Sequence, residues 1–130
     1  MTKEYINRII GVLEKNNVKF VITGGVAKLL RNEKKSTMDL DILVSIQEEN
    51  LKALKQFVLD LNVSKYQIID DLKKNRIIKI QVFPFSIDIL PKLDGLNTEK
   101  VFENCEKFSF ENKIIPLISK KDLITNYNHL

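Results

Sequence analysis

The chain has little of what most catalytic and cross-linking arrangements need. One cysteine, Cys105, excludes an internal disulfide framework and favours a reducing, cytoplasmic setting. One histidine, His129, near the end, leaves no Ser-His-Asp set. There is no tryptophan, and the seven phenylalanines and three tyrosines are scattered, so no nucleic-acid motif stands out. No Gly-x-x-x-x-Gly-Lys loop is present, which disfavours ordinary P-loop chemistry. No apolar run nears bilayer length and residues 1–8 lack the apolar core of a signal peptide, so no membrane partner is expected. Glycine is scarce as well. Of the four, two are adjacent, and they open the argument below.

What remains is globular in composition. The 130 residues are 44% hydrophobic and 29% charged, and a single domain over residues 1–130 is expected. A chain of this size buries about two-thirds of its unfolded surface. The net charge of +4 is mildly basic, with small clusters at Lys34-Lys35, Lys73-Lys74 with Arg76, and Lys120-Lys121. Nucleic acid as a second substrate would suit that charge, and so would a plain lysine-rich surface.

Lys19 to Ile22 is a short apolar, β-branched run that reads as a buried strand. Gly24 and Gly25 stop it, and Val26 to Arg31 has helical composition. A strand, a glycine turn and a helix start leave free backbone N–H groups, which suits phosphate. Taken alone, the glycine pair could equally make an ordinary tight turn.

Met38 to Ser45 looks like a strand carrying Asp39, fourteen residues beyond the pair, and Asp41. Alternation projects these two acids to one face and Leu40, Ile42 and Val44 to the other. Two like charges on one face of a mostly buried strand need a compensating cation. Carboxylate oxygens suit Mg²⁺, which keeps waters and substrate phosphates in its shell. An exposed edge strand with two solvated aspartates is the plain alternative, but Ile42-Leu43-Val44 argues for a central strand.

A third acid lies further on. Lys79 to Val82 and Ser86 to Leu90 read as two strands joined around Phe83-Pro84-Phe85, and Asp88 stands between two isoleucines. If that strand pairs beside the first, Asp39, Asp41 and Asp88 converge. Two metal ions could then clamp both oxygens of an in-line phosphoryl displacement, with Asp88 as the base. An outward-facing surface charge is the alternative for Asp88. Asp70 and Asp71 compete for the role, but they adjoin Leu72 to Asn75, which reads as a polar turn.

Gly24-Gly25, thirteen intervening residues and Asp39-Leu40-Asp41, with the later Asp88, resemble the signature of the DNA polymerase β-type nucleotidyltransferase superfamily. Lys35-Ser36-Thr37-Met38 resembles the stretch before the first aspartate in its bacterial toxin–antitoxin and abortive-infection branch, where arginine commonly stands at Lys35. A lysine keeps the charge and loses the bidentate fork. The resemblance covers roughly Tyr5 to Leu90. It implies a catalytic, metal-holding triad of Asp39, Asp41 and Asp88, and a triphosphate seat of Gly24, Gly25, Lys35 and Thr37. It also implies Mg²⁺, with room for two ions, and an NTP donor, with ATP the default because it is abundant.

Ser119-Lys120-Lys121-Asp122-Leu123-Ile124 matches the opening of a helix that relatives continue with a lysine, where this chain has Tyr127. A minimal family member, or one that borrows a helical protein partner, is therefore expected.

The remaining elements follow from apolar spacing. Lys3–Lys15 and Gln47–Leu61 read as amphipathic helices, the second with Ser45 as cap. Thr98–Phe108 reads as a third, capped by Asn97 or Thr98. Lys113–Ile118 reads as an edge strand because of Pro116. Ser119 caps a last helix with Asp122 at its third position, and residues 91–97 are a loop.

The expected fold class is thus α/β (α+β), a minimal nucleotidyltransferase fold with a mixed β-sheet flanked by helices. The expected function is metal-dependent transfer of a nucleoside monophosphate from an NTP to an acceptor hydroxyl on RNA, protein or a small molecule. RNA and protein are the foremost acceptors. The alternative is a non-catalytic module that binds nucleotide or protein as half of a toxin–antitoxin-type pair.

Overall fold

Helix α1, Lys3–Lys15, forms where the sequence spacing places it. The Thr2 hydroxyl accepts from the Tyr5 N–H, and Tyr5, Ile6, Ile9, Ile10 and Leu13 are buried along one face. The computed structural model describes residues 1–63 and 68–130. The described elements are six helices and six strands. After α1 come β1 (Phe20–Thr23), α2 (Gly24–Leu30), β2 (Asp39–Val44), α3 (Glu48–Asp60) and α4 (Ile68–Lys73). Then follow β3 (Ile78–Val82), β4 (Phe85–Leu90), α5 (Thr98–Asn104), β5 (Glu106–Phe110), β6 (Lys113–Leu117) and α6 (Lys120–Asn128).

The strands make one mixed sheet in the order β3-β4-β2-β1-β6-β5. β2 is central, parallel to β4 and antiparallel to β1. That position explains why Leu40, Ile42, Leu43 and Val44 are all fully buried. The apolar face of β3 and β4, with Ile78, Ile80, Ile87 and Ile89, joins the side chains of α1 and α3 in one core. The Tyr5 hydroxyl donates to the Val82 carbonyl at 2.8 Å, and its ring meets Phe85 edge-on at 4.9 Å. Helix α1 is thereby fastened to the β3–β4 hairpin.

Four local expectations are corrected. Of the turn expected at Leu72 to Asn75, Leu72 and Lys73 instead close α4, because Ile68 and Leu72 fall four apart and bury together, while Lys74 and Asn75 do turn. The third helix stops at Asn104, and residues 106–110 cross into strand β5. There the pattern changes to Glu106, Phe108, Phe110 on one side, and Glu111 and Asn112, both at positive φ, close a two-residue hairpin into β6. Strand β6 is interior, not an edge. Its bond to β1 is made by the Ile118 N–H to the Ile22 carbonyl at 2.9 Å. The nitrogen of Pro116, two residues earlier, faces the same way, so proline shortens that ladder to the single pair Ile22–Leu117. Finally, α3 is capped at Gln47, and the Ser45 hydroxyl accepts from the Gln47 N–H instead. The Ser119 and Asn97 caps stand as read.

Among the described residues no helix is long and apolar enough to cross a membrane.

Candidate active site

Register brings the three sequence-predicted acids to one patch. Along the β2–β4 ladder Asp39 faces Ser86 and Asp41 faces Asp88. On the flanks Asp88 pairs with Lys79 of β3, and Asp41 pairs with Thr23 of β1. Cross-strand partners share a face. A polar stripe therefore crosses four strands on the face opposite the isoleucines, from Lys79 through Asp88 and Asp41 to Thr23.

The charges within the stripe are unequally compensated. The Nζ of Lys79 lies 3.1 Å from an Asp39 oxygen and 3.1 Å from an Asp88 oxygen. Asp39 also accepts from the Ser86 hydroxyl. That hydrogen bond, then Lys79, holds the Asp39 carboxyl below the usual carboxylate range. Asp41 receives neither. Burial first, then the neighbouring charge of Asp88, push it up to about 7. The Lys79 ammonium is in turn held above its ordinary value by its contacts with Asp88 and Asp39. One cation thus serves two of three acids, and the third is driven toward its neutral form.

The glycine turn presses on the same acids. Gly24 has φ +64°, and a Cβ there would run into the Asp41 carboxylate. A Cβ on Gly25 would come within 2.9 Å of the Thr37 hydroxyl and 3.2 Å of the Lys34 ammonium. The loop between α2 and β2 folds back so that Thr37 and Lys34 reach the turn. The Thr37 hydroxyl donates to the Asp39 carbonyl at 3.2 Å, which sets the loop against β2. Lys35 is exposed, and it is Lys34 whose ammonium reaches Gly25.

Sequence reasoning therefore places Gly24, Gly25, Thr37, Asp39, Asp41 and Asp88 in one neighbourhood, and the structure adds Lys34, Lys79, Ser86 and Thr23. Ser86 was legible in principle, since alternation puts it on the Asp88 face of its predicted strand. Thr23 is buried, its side chain makes no capping bond, and its hydroxyl finds no partner among the described residues.

Among the described residues no three His, Cys, Asp or Glu side chains stand at metal-ligand spacing, and the Lys79 ammonium contacts both Asp39 and Asp88. The donor set nonetheless fits a hard divalent cation. It offers carboxylate oxygens in register, an acid left short of positive charge, and an unpartnered hydroxyl beside it.

Comparison with known proteins gives the site its setting. Residues 5–128 match the family model described as aminoglycoside-2''-adenylyltransferase. A solved structure from Thermotoga maritima, described as a candidate nucleotidyltransferase, superposes with a TM-score of 0.69 at 14% identity, covering 96% of this chain and 81% of that one. That likeness speaks for the fold. No protein with a curated description matches the sequence. With the match running over nearly the whole length, the chain belongs to the aminoglycoside-2''-adenylyltransferase family, within the nucleotidyltransferase superfamily.

Proposed function

We propose that the chain transfers a nucleoside monophosphate from an NTP, ATP in the first instance, to an acceptor hydroxyl, with Asp39, Asp41 and Asp88 as the metal-holding and catalytic acids. The observation that carries this reading is the convergence of Asp39, Asp41 and Asp88 beside a glycine turn with no room for a side chain. Divalent metal, Mg²⁺ above all, would supply charge neutralisation of the triphosphate and polarisation of the reacting phosphoryl group. The chain's own residues would do the rest. Helix α2 is only seven residues long, so the backbone N–H groups of Gly24 and Gly25, more than a helix dipole, would meet phosphate oxygens. Thr37 and Lys34 would flank them, with Lys35 at the rim. Asp88 would accept the proton of the attacking hydroxyl.

The acceptor class is open to a direct test. The family's name points to an aminoglycoside hydroxyl, and the basic surface equally suits RNA or a protein. Transfer from each α-labelled NTP should be followed with Mg²⁺ and an aminoglycoside, RNA or protein acceptor. Wild-type protein should label one class, and an Asp39→Asn/Asp41→Asn double variant should label none. Transfer by the double variant at the wild-type rate would overturn the assignment.

One observation favours a second reading, a partner-binding module. Ile124 and Tyr127 of α6 are exposed side by side, with the Lys28 ammonium 5.0 Å from the Tyr127 ring centre. A helical partner could cover that face. Complex formation with a neighbouring gene product, unaffected by Asp39→Asn and without any transfer, would support this reading over the enzyme.

A further inference from the structure

Lys79 belongs to no motif, yet it makes the closest charge contacts in the site. Its ammonium touches Asp39 and Asp88 at the same 3.1 Å, bridging the two strands that carry the acids. Two properties set it apart from an ordinary surface ion pair. First, its partners are the acids that would ligate metal, so the ammonium stands where a cation between Asp39 and Asp88 would have to be. Second, it has somewhere to go. β3 is the edge strand of the sheet, the Lys79 side chain is half exposed, and the next residue on its face, Gln81, is exposed too. A long flexible stem at a sheet edge can leave the acids without disturbing the core.

We propose that Lys79 is the resident counter-ion of the metal-free site, and that divalent metal enters by displacing its ammonium from Asp39 and Asp88. This rests on the metal-site reading above. It assigns Lys79 a positioning role. Without metal it holds the two acids in place against their mutual repulsion, and on metal binding it gives up both contacts. Metal-free stability and metal affinity are then opposed at one residue. Removing the ammonium should weaken the first and strengthen the second.

The test needs no substrate. Binding of Mn²⁺ alone is measured from the loss of the free-ion paramagnetic resonance signal, for wild type, Lys79→Met and Lys79→Arg, with thermal melts in chelator and in Mn²⁺. Lys79→Met should bind Mn²⁺ roughly tenfold tighter or more, the scale expected for removing one like charge in contact with the ligands. It should also melt lower than wild type in chelator and recover in Mn²⁺. Lys79→Arg, which keeps the charge, should bind no tighter than wild type. Should Lys79→Met not fold without metal, Lys79→Gln replaces it in the same comparison. Equal or weaker Mn²⁺ binding by the neutral variant overturns the displacement. Asp39→Asn and Asp88→Asn separate the two ideas. If these abolish Mn²⁺ binding while Lys79→Met matches wild type, only the displacement falls. If they bind as wild type does, the metal site itself is wrong, and the displacement with it.

Discussion

Asp41 of β2 and Asp88 of β4 stand directly opposite one another in a parallel ladder, two carboxylates where sheets ordinarily place apolar pairs. Such a pair is costly in the folded protein and has no counterpart in the unfolded chain. The cost is what function would account for. Asp41→Asn should therefore lower nucleotidyl transfer by about 100-fold or more, the usual scale for losing a positioned catalytic group. The same substitution should raise metal-free stability at pH 8 by on the order of 1–2 kcal/mol, because it removes a poorly compensated charge. Urea unfolding in chelator measures this. A variant that is both inactive and less stable would show that Asp41 is structural.

The raised Asp41 pKa also fixes the sign of a pH dependence. Below about pH 4, the ordinary carboxylate range, Asp41 is protonated whether folded or not and contributes nothing. Between there and about 7 the folded chain still holds the proton that the unfolded chain has released. Unfolding then loses a proton, so stability falls as pH rises across that window and levels off above it. Asp39 acts oppositely. Its lowered value contributes stability above the ordinary carboxylate range that is lost only as the pH falls toward its folded value. The two windows do not overlap. Melting in chelator from pH 4 to 8 should show a descending limb in wild type and a flatter one in Asp41→Asn. A limb of the same steepness in both would mean another group titrates.

The glycines separate by what surrounds them. Gly24→Ala forces a side chain into the Asp41 carboxylate at positive φ, so it should cost about 1–3 kcal/mol and impair NTP binding. Gly11 lies inside α1, and a methyl group there would meet nothing within 4 Å. Gly11→Ala should instead stabilise by about 0.5–1 kcal/mol and leave binding unchanged. Opposite signs from the same substitution would show that the turn, and not glycine content, matters.

The sequence made the acids legible because alternation along a strand is reliable once the strand is identified. Asp39-Leu40-Asp41 and Ile87-Asp88-Ile89 each announce which way their carboxylates point. Strand order is another matter. Nothing local says that β4 lies beside β2, and without that pairing Asp88 could have been a surface charge. The family resemblance supplied it. Lys79 was missed because an alternating lysine on an edge strand reads as solvated surface, and its role exists only through the pairing with Asp88. Thr98–Phe108 misread as one helix because Val101, Cys105 and Phe108 fall at i, i+4 and i+7, a helical spacing. The turn at Glu111-Asn112, which makes residues 106–110 a strand, lies beyond that window. Pro116 misled for a different reason. A missing N–H forbids one ladder bond, not an interior position.

Arg31 offers a test of how the glycine turn is anchored. It caps α2, its side chain is about 10% exposed, and Nη2 lies 2.5 Å from the Ile118 carbonyl and 3.0 Å from the Glu106 carboxylate. Ile118 also donates to Ile22, so Arg31 closes a bracket from α2 through the end of β6 to β1. The carbonyl contact is the sheltered one, whereas Glu106 is half exposed and its ion pair is screened. Arg31→Met should therefore cost about 1–3 kcal/mol in urea unfolding, since it strands a sheltered acceptor. Glu106→Ala should cost less than about 1 kcal/mol, as exposed pairs do. Equal losses would place the anchor in the ion pair and make it sensitive to salt. A large loss for Arg31→Met alone, unchanged by salt, would place it in the bond to Ile118.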